Sequence, residues 1–271
     1  MAPSKHKKNQ FLLPRLIFFI LISFLFLSCE INQKEHKGII SLTPAISSIL
    51  FDLGIDKEVI AVTSNDEFIL ETSVGSFIHF SLEKILSLYP KTVIYQDFQE
   101  EWIKPILNHP KIQFIKVSLN NLNSIFQAAQ KIGKTFGLKN EALPNPGFIL
   151  PLTQELKLKP FRYLAVVDRD REWKTVFAAG KSSYLAELLD FLGGTNLLNS
   201  ERDYIQVSEE IFLLKEKPDI IICFTNRIDN ETFYKNIPVI YLSNPKLSIP
   251  DLKIESKLRL IQKEIRFILN P

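Results

Sequence analysis

The chain reads as an α/β protein of two similar lobes with parallel sheets, joined by a linking helix and facing each other across a cleft. Three observations lead there. Apolar runs of strand length alternate with helix-patterned segments, the arrangement that builds parallel sheets covered on both faces. One pattern occurs twice: Ser81-Leu82-Glu83-Lys84-Ile85-Leu86, then Pro90 and Thr92-Val93-Ile94-Tyr95; and Ser208-Glu209-Glu210-Ile211-Phe212-Leu213, then Pro218 and Ile220-Ile221-Ile222-Cys223-Phe224. In each, a serine is placed to cap a short helix, a glutamate follows in its first turn, and proline closes the helix ahead of a buried strand. The third is an echo: Leu50-Phe51-Asp52-Leu53-Gly54 returns as Leu189-Asp190-Phe191-Leu192-Gly193. The copies lie too far apart for a short-period solenoid.

Residues 1–28 read as a lipoprotein signal peptide. Lys5, Lys7, Lys8 and Arg15 form a basic region, and residues 16–27 are apolar apart from Ser23. That run is shorter than the ~20 residues a membrane-spanning helix needs. It ends in Phe26-Leu27-Ser28-Cys29, which resembles a bacterial lipobox with Phe26 where leucine is usual. Cleavage before Cys29 would leave its thiol to carry lipid; the plainer alternative is a secretory signal with an incidental cysteine. The signal holds four basic and no acidic side chains, so the remainder carries 29 basic against 30 acidic residues. Nothing in that balance argues for nucleic acid. With Cys29 lipidated, Cys223 has no disulfide partner and reads as a small core residue.

Residues 29–37 are polar and serve as a tether. Residues 38–119 form the first lobe. A strand at 38–42 turns at Thr43-Pro44-Ala45 into a helix that Gly54 closes. Val59-Ile60-Ala61-Val62 is the next strand; the Glu83 helix, the Val93 strand, a helix around 101–107 and a strand at 112–117 follow. Residues 120–160 connect the lobes. Asn120 or Asn121 caps a helix with Leu122, Ile125, Phe126, Ala129, Ile132 and Phe136 at helical spacing, and Gly137 stops it. Pro144, Pro146, Pro151 and Pro160 then rule out one long helix and leave residues 154–159 a turn or two. Residues 161–271 form the second lobe, with strands at Tyr163-Leu164-Ala165-Val166-Val167, Val176-Phe177-Ala178-Ala179, Ile220 and Val239-Ile240-Tyr241-Leu242. Helices cover 184–192 and 252–269.

Over roughly residues 38–242 the order and spacing of these motifs resemble the substrate-binding proteins of ABC importers. The particular likeness is to the vitamin B12-binding-protein-like class, with two Rossmann-like lobes joined by a helix, which serves cobalamin, ferric siderophores and haem. The residues that carry it are Ile40-Ser41-Leu42-Thr43-Pro44-Ala45, Leu53-Gly54, Val62-Thr63-Ser64, the Glu83 helix with Tyr89-Pro90-Lys91, Leu192-Gly193-Gly194-Thr195-Asn196, and Gln206 to Glu210. The sequence departs from that class where the linking helix is cut to residues 121–136 and followed by proline-rich chain, which leaves the rigidity of the joint open.

The resemblance implies a non-enzymatic monomer, without a cofactor or metal of its own, that captures a metal chelate and delivers it to an ABC permease and its ATPase. Its place would be periplasmic or at the cell surface, lipid-anchored to the membrane. Glu83 and Glu210 match the docking glutamates that pair with permease arginines; alternatively, each only complements a helix N-terminus. Loops at the carboxyl ends of the strands should line the cleft. The candidates are Thr43, Pro44, Asn65, Phe77, Arg169, Arg171, Trp173, Lys181 and Tyr204. Phe77 and Tyr204 match aromatic positions of the cobalamin binder, and flat rings suit a corrin or porphyrin face. The arginines suit carboxylates of a ligand, or else form a solvated loop with their aspartate neighbours. His79 is either an axial ligand or a plain loop residue.

No phosphate loop, dinucleotide fingerprint or Gly-x-Ser-x-Gly elbow is present, so enzyme readings find no support. The alternative function is a lipid-anchored structural or interaction lipoprotein that keeps a binding-protein fold but no longer serves transport.

Overall fold

The computed structural model describes residues 36–66, 72–170, 172–208, 210–211, 216–226, 233–234 and 236–269. Cys29, Arg171 and, in the short helix expected over residues 208–213, Glu209, Phe212 and Leu213 fall outside these residues.

The first sheet contains β1 (Ile39–Ser41), β2 (Val59–Ala61), β3 (Thr92–Gln96) and β4 (Gln113–Val117), all parallel, in the order β2-β1-β3-β4. Helix α1 (Pro44–Asp52) begins where Thr43, in extended conformation, accepts a hydrogen bond from the Ile46 N–H, with Pro44 at the first position. Helix α2 (Leu82–Ser87) starts at the expected cap: the Ser81 hydroxyl accepts from the Lys84 N–H at 3.1 Å. A short α3 (Glu100–Ile103) follows β3.

Helix α4 (Leu122–Thr135) is capped by Asn121, whose side chain accepts from the Ser124 N–H at 2.9 Å while the Ser124 hydroxyl accepts from the Asn121 N–H at 3.1 Å. The proline-rich stretch holds more helix than its composition suggests. Helix α5 (Ile149–Leu156) contains Pro151 at its third position, where no intrahelical partner exists for the missing N–H.

The second sheet is built on β5 (Phe161–Arg169), which pairs in parallel with β7 (Gly194–Asn196) and β9 (Ile220–Cys223); β9 pairs in parallel with β11 (Ile237–Tyr241). Antiparallel β6 (Thr175–Ala179), β8 (Tyr204–Ser208) and β10 (Phe233–Tyr234) extend that parallel centre. The β5–β6 hairpin has a local cause. The Asp170 carboxylate accepts from the backbone N–H groups of Glu172, Lys174 and Thr175 at 3.0, 2.9 and 2.7 Å, folding residues 170–174 into a tight turn too short for a parallel crossover. Ser208 is the last residue of β8, and Glu210 stands just beyond it. Helices α6 (Tyr184–Phe191) and α7 (Ile254–Leu269) complete the lobe.

The lobes share one core. Ile46, Ile49 and Leu50 of α1 and Ile125, Ala129 and Ile132 of α4 belong to the same apolar cluster as Leu185 and Leu188 of α6 and Leu258 and Ile261 of α7. Polar ties add to it: Asp52 at the end of α1 accepts from the Leu252 N–H at 3.2 Å and pairs with Lys253 at 3.2 Å. Helix α5 is held on α7 by Gln262, which donates to the Leu156 carbonyl at 3.2 Å, and by the Arg259–Glu155 ion pair at 2.8 Å. A close-packed interior resists sliding, so the short linking helix is reinforced by α1, α6 and α7.

Candidate functional site

A cleft of about 870 Å³ opens between the lobes. From the first lobe it is lined by the start of α1 (Thr43, Pro44, Ala45), by Phe77, and by the end of β3 (Gln96, Asp97, Phe98). Leu119 and Asn120 follow β4, Asp203 and Tyr204 come from the second lobe, and Ser248, Ile249 and Pro250 precede α7.

Each wall is set by hydrogen bonding. The Thr43 hydroxyl, besides capping α1, accepts from Gln96 Nε2 at 2.8 Å. Gln99 is fully buried and carries the Phe77 loop: its amide donates to the carbonyls of Leu42 and Phe77 at 3.0 and 2.7 Å, and its Oε1 accepts from the Gln96 N–H at 3.0 Å. On the other wall, the Gly180 N–H donates to the Asp203 carbonyl at 2.8 Å. A Cβ on Gly180 would lie 1.9 Å from the Arg202 carbonyl oxygen, so only glycine lets the 200–203 loop approach β6 this closely. The Tyr204 ring is backed by Phe177, centroids 6.1 Å apart at 24°. Burial pushes the Asp203 carboxyl above its ordinary range, and the charge of Asp97 adds to the shift.

Of the sequence candidates, Thr43, Pro44, Phe77 and Tyr204 meet in this cleft. Others sit elsewhere. Trp173 is 2% exposed and stacks on Tyr234 with centroids 4.7 Å apart. Arg169 is 7% exposed, lies 3.9 Å above the Trp173 ring and donates to the Tyr241 hydroxyl at 3.0 Å. Both belong to the interior of the second lobe, because the loop carrying them is a hairpin turn folded onto its own sheet and not a loop following a parallel strand. Lys181 is exposed and pairs with Glu201. Asn65 occupies an exposed turn, and neither residue lines the described cleft. Glu83 and Glu210 are exposed, one on each lobe. Phe98, Leu119, Gln99 and the 248–250 segment went unread in the sequence. Phe98, Leu119 and the 248–250 segment reach the cleft, and Gln99 supports its wall, through long-range packing that leaves no local pattern.

No protein-family model matches the chain. A curated relative from Bacillus subtilis (strain 168), named as an uncharacterized ABC transporter substrate-binding lipoprotein YvrC, is 25% identical over 208 residues. That match takes in 70% of this chain and 64% of the relative, so the chain spans just under two thirds of the relative's length. Among solved structures, the periplasmic vitamin B12 binding protein BtuF of Vibrio cholerae superposes with a TM-score of 0.71 at 20% identity, covering 87% of this chain and 98% of that one. The fold is that of the two-lobed periplasmic binding proteins. The periplasmic heme binding protein HutB of Vibrio cholerae gives 0.69 at 16% identity over 88% and 100% of the two chains. The Fe3+-Desferal-bound siderophore binding protein FhuD from Vibrio cholerae gives 0.66 at 12% over 86% and 99%.

Proposed function

We propose that this chain is the substrate-binding component of an ABC importer, periplasmic or at the cell surface and anchored to the membrane by lipid at Cys29. Its role is to capture an organic metal chelate between its lobes and to hand it to a permease and its ATPase. It does so by binding, without catalysis, and as a monomer. The observation that carries the reading is the cleft of about 870 Å³ with an aromatic ring from each lobe, Phe77 and Tyr204, at its wall. That volume lies in the range of organic ligand sites, and burying a flat or multidentate frame there removes apolar surface from water at ~25 cal/mol per Å². The similarity to the lipoprotein from Bacillus subtilis supports the transport role.

Cobalamin or a ferric siderophore is favoured over haem, because no histidine lines the described cleft and burial raises the Tyr204 hydroxyl above its ordinary value, against the phenolate that an axial tyrosine needs. The test is a visible-spectrum titration of the processed protein with cobalamin, ferric siderophores and haem, in wild type and in the Phe77→Ala, Tyr204→Ala double variant. Binding of one of them that weakens in the double variant supports the reading. Binding of none removes the importer assignment, and binding unchanged in the variant removes the site.

A further inference from the structure

We infer that the cleft selects its ligand by charge: Asp97 and Asp203, one from each lobe, favour a chelate edged with cationic or N–H donor groups and reject one edged with carboxylates. The inference rests on the reading of the cleft as the ligand site and adds which edge chemistry it accepts. Among the described lining residues there is no lysine, arginine or histidine; the only ionisable carboxylates are these two. One cation outside the lining acts on Asp97: Lys116, whose ion-pair partner is Glu100 at 2.9 Å. Gln96 spends a donor on Thr43, and Asp97 Oδ1 takes the Phe98 N–H at 3.0 Å. The Asp203 carboxylate meets no hydrogen-bond or ion-pair partner among the described residues; its main-chain carbonyl, not its side chain, is what Gly180 holds. Both residues are half-buried before any ligand arrives.

A bound ligand expels water from this space and leaves the two carboxylates to be satisfied by the ligand itself. An ammonium or a row of amide N–H groups provides that match. A carboxylate-edged ligand instead places like charges together at reduced dielectric, where repulsion is strongest. The charge thus discriminates between ligands that the aromatic rings alone would accept equally.

The test uses matched probes with the same frame. One pair is a ferric linear trihydroxamate bearing a free ammonium and its N-succinyl derivative, in which a carboxylate replaces the ammonium. The other is a corrin with peripheral carboxamides and the same corrin with peripheral carboxylic acids. Fluorescence or calorimetric titration of wild type should show the cationic or amide member of at least one pair binding about tenfold or more tightly than its anionic partner. In the Asp97→Asn, Asp203→Asn double variant, close in shape to wild type, that ratio should fall towards one. A folded Asp203→Lys variant should reverse it. Equal or tighter binding of the anionic members by wild type overturns the inference while leaving the cleft as the ligand site, and so does a ratio unchanged in the double variant. Failure of wild type to bind any of the four probes, together with cobalamin and haem, overturns the site assignment and this inference with it.

Discussion

The carboxylate of Glu187 on α6 accepts the backbone N–H of Leu122, the first residue of α4, at 2.6 Å. The two residues stand 65 positions apart, and the bond ties the helix linking the lobes to the second lobe. Leu122 is buried, so its N–H has no water to turn to. Burial raises the Glu187 carboxyl above its ordinary 4.5; the Leu122 N–H opposes the shift and Asp190 adds to it.

A first prediction follows from that pair. Glu187→Ala leaves a buried donor unpaired and should destabilise the protein by about 1–3 kcal/mol in urea unfolding. Glu187→Gln keeps the acceptor oxygen and should be nearly neutral at low pH, where Glu187 is itself protonated. The pH dependence separates the two roles. Below the unfolded value, Glu187 is protonated in both states. As pH rises towards the raised folded value, the unfolded chain sheds the proton first, so this residue's contribution falls. Stability of wild type relative to Glu187→Gln should therefore decline as pH rises through that window and level off above it. A flat difference from pH 4 to pH 8 would contradict the assignment.

Gln99 should behave as the support of the Phe77 loop. Gln99→Leu removes partners from Leu42, Phe77 and Gln96 at once. The expected loss is on the order of 2 kcal/mol or more. For any ligand that the cleft binds, affinity should fall in this variant while Gln130→Leu, on α4 away from the cleft, leaves it unchanged. Unfolding curves and a titration on the same samples check both effects. Wild-type affinity in a measurably destabilised Gln99→Leu would show that Phe77 needs no such support.

What the sequence disclosed, and what it withheld, divides along range of interaction. The cap Ser81, the turn into a helix at Thr43 and the choice of Asn120 or Asn121 as a cap were legible because each acts within three residues. The parallel first sheet was legible from strands such as Thr92–Gln96, buried along nearly their whole length. The hairpin of β5 and β6 was not, because its turn is written by one aspartate whose carboxylate gathers three backbone donors, among charges that look like a solvated loop. Arg169 and Trp173 misread for the same reason: a guanidinium lying on an indole inside a lobe is spelled like an exposed binding loop. The shared core and the 248–250 wall depend on tertiary packing alone.

Lys257 and Asp251 form a buried ion pair at 2.7 Å, with side chains 4% and 5% exposed. The ammonium also donates to the Ile249 carbonyl and, at 3.3 Å, to the Tyr184 hydroxyl, so it pins the segment that walls the cleft. Breaking one half strands the other. Lys257→Met should cost about 3–5 kcal/mol, whereas Lys257→Met with Asp251→Leu should recover a large part of that loss. A double-mutant cycle in denaturant measures the coupling. Additive losses would mean that the pair contributes nothing beyond its separate contacts.

Glu83 and Glu210 lead to the last prediction, which concerns partner contact. Glu83 projects from the first turn of α2, whose cap Ser81 is itself exposed, and Glu210 stands beyond β8 with the Ser208 hydroxyl 3.5 Å from its Oε2. Neither lines the cleft. If they dock the permease, replacing both by alanine should leave ligand titration unchanged and weaken association with permease in proteoliposomes. The defect should be largest at low salt and shrink as ionic strength rises, since exposed charges are screened beyond about 10 Å at 0.1 M. One glutamate alone should produce a smaller loss, because a single point contact still steers encounter but no longer fixes orientation. If the glutamates only complement their local helix starts, the double variant should instead lose about 0.3–1 kcal/mol of stability per site and dock normally. Measuring permease association and unfolding on the same double variant decides between the two roles, since docking predicts a change in the first alone and helix complementation a change in the second alone.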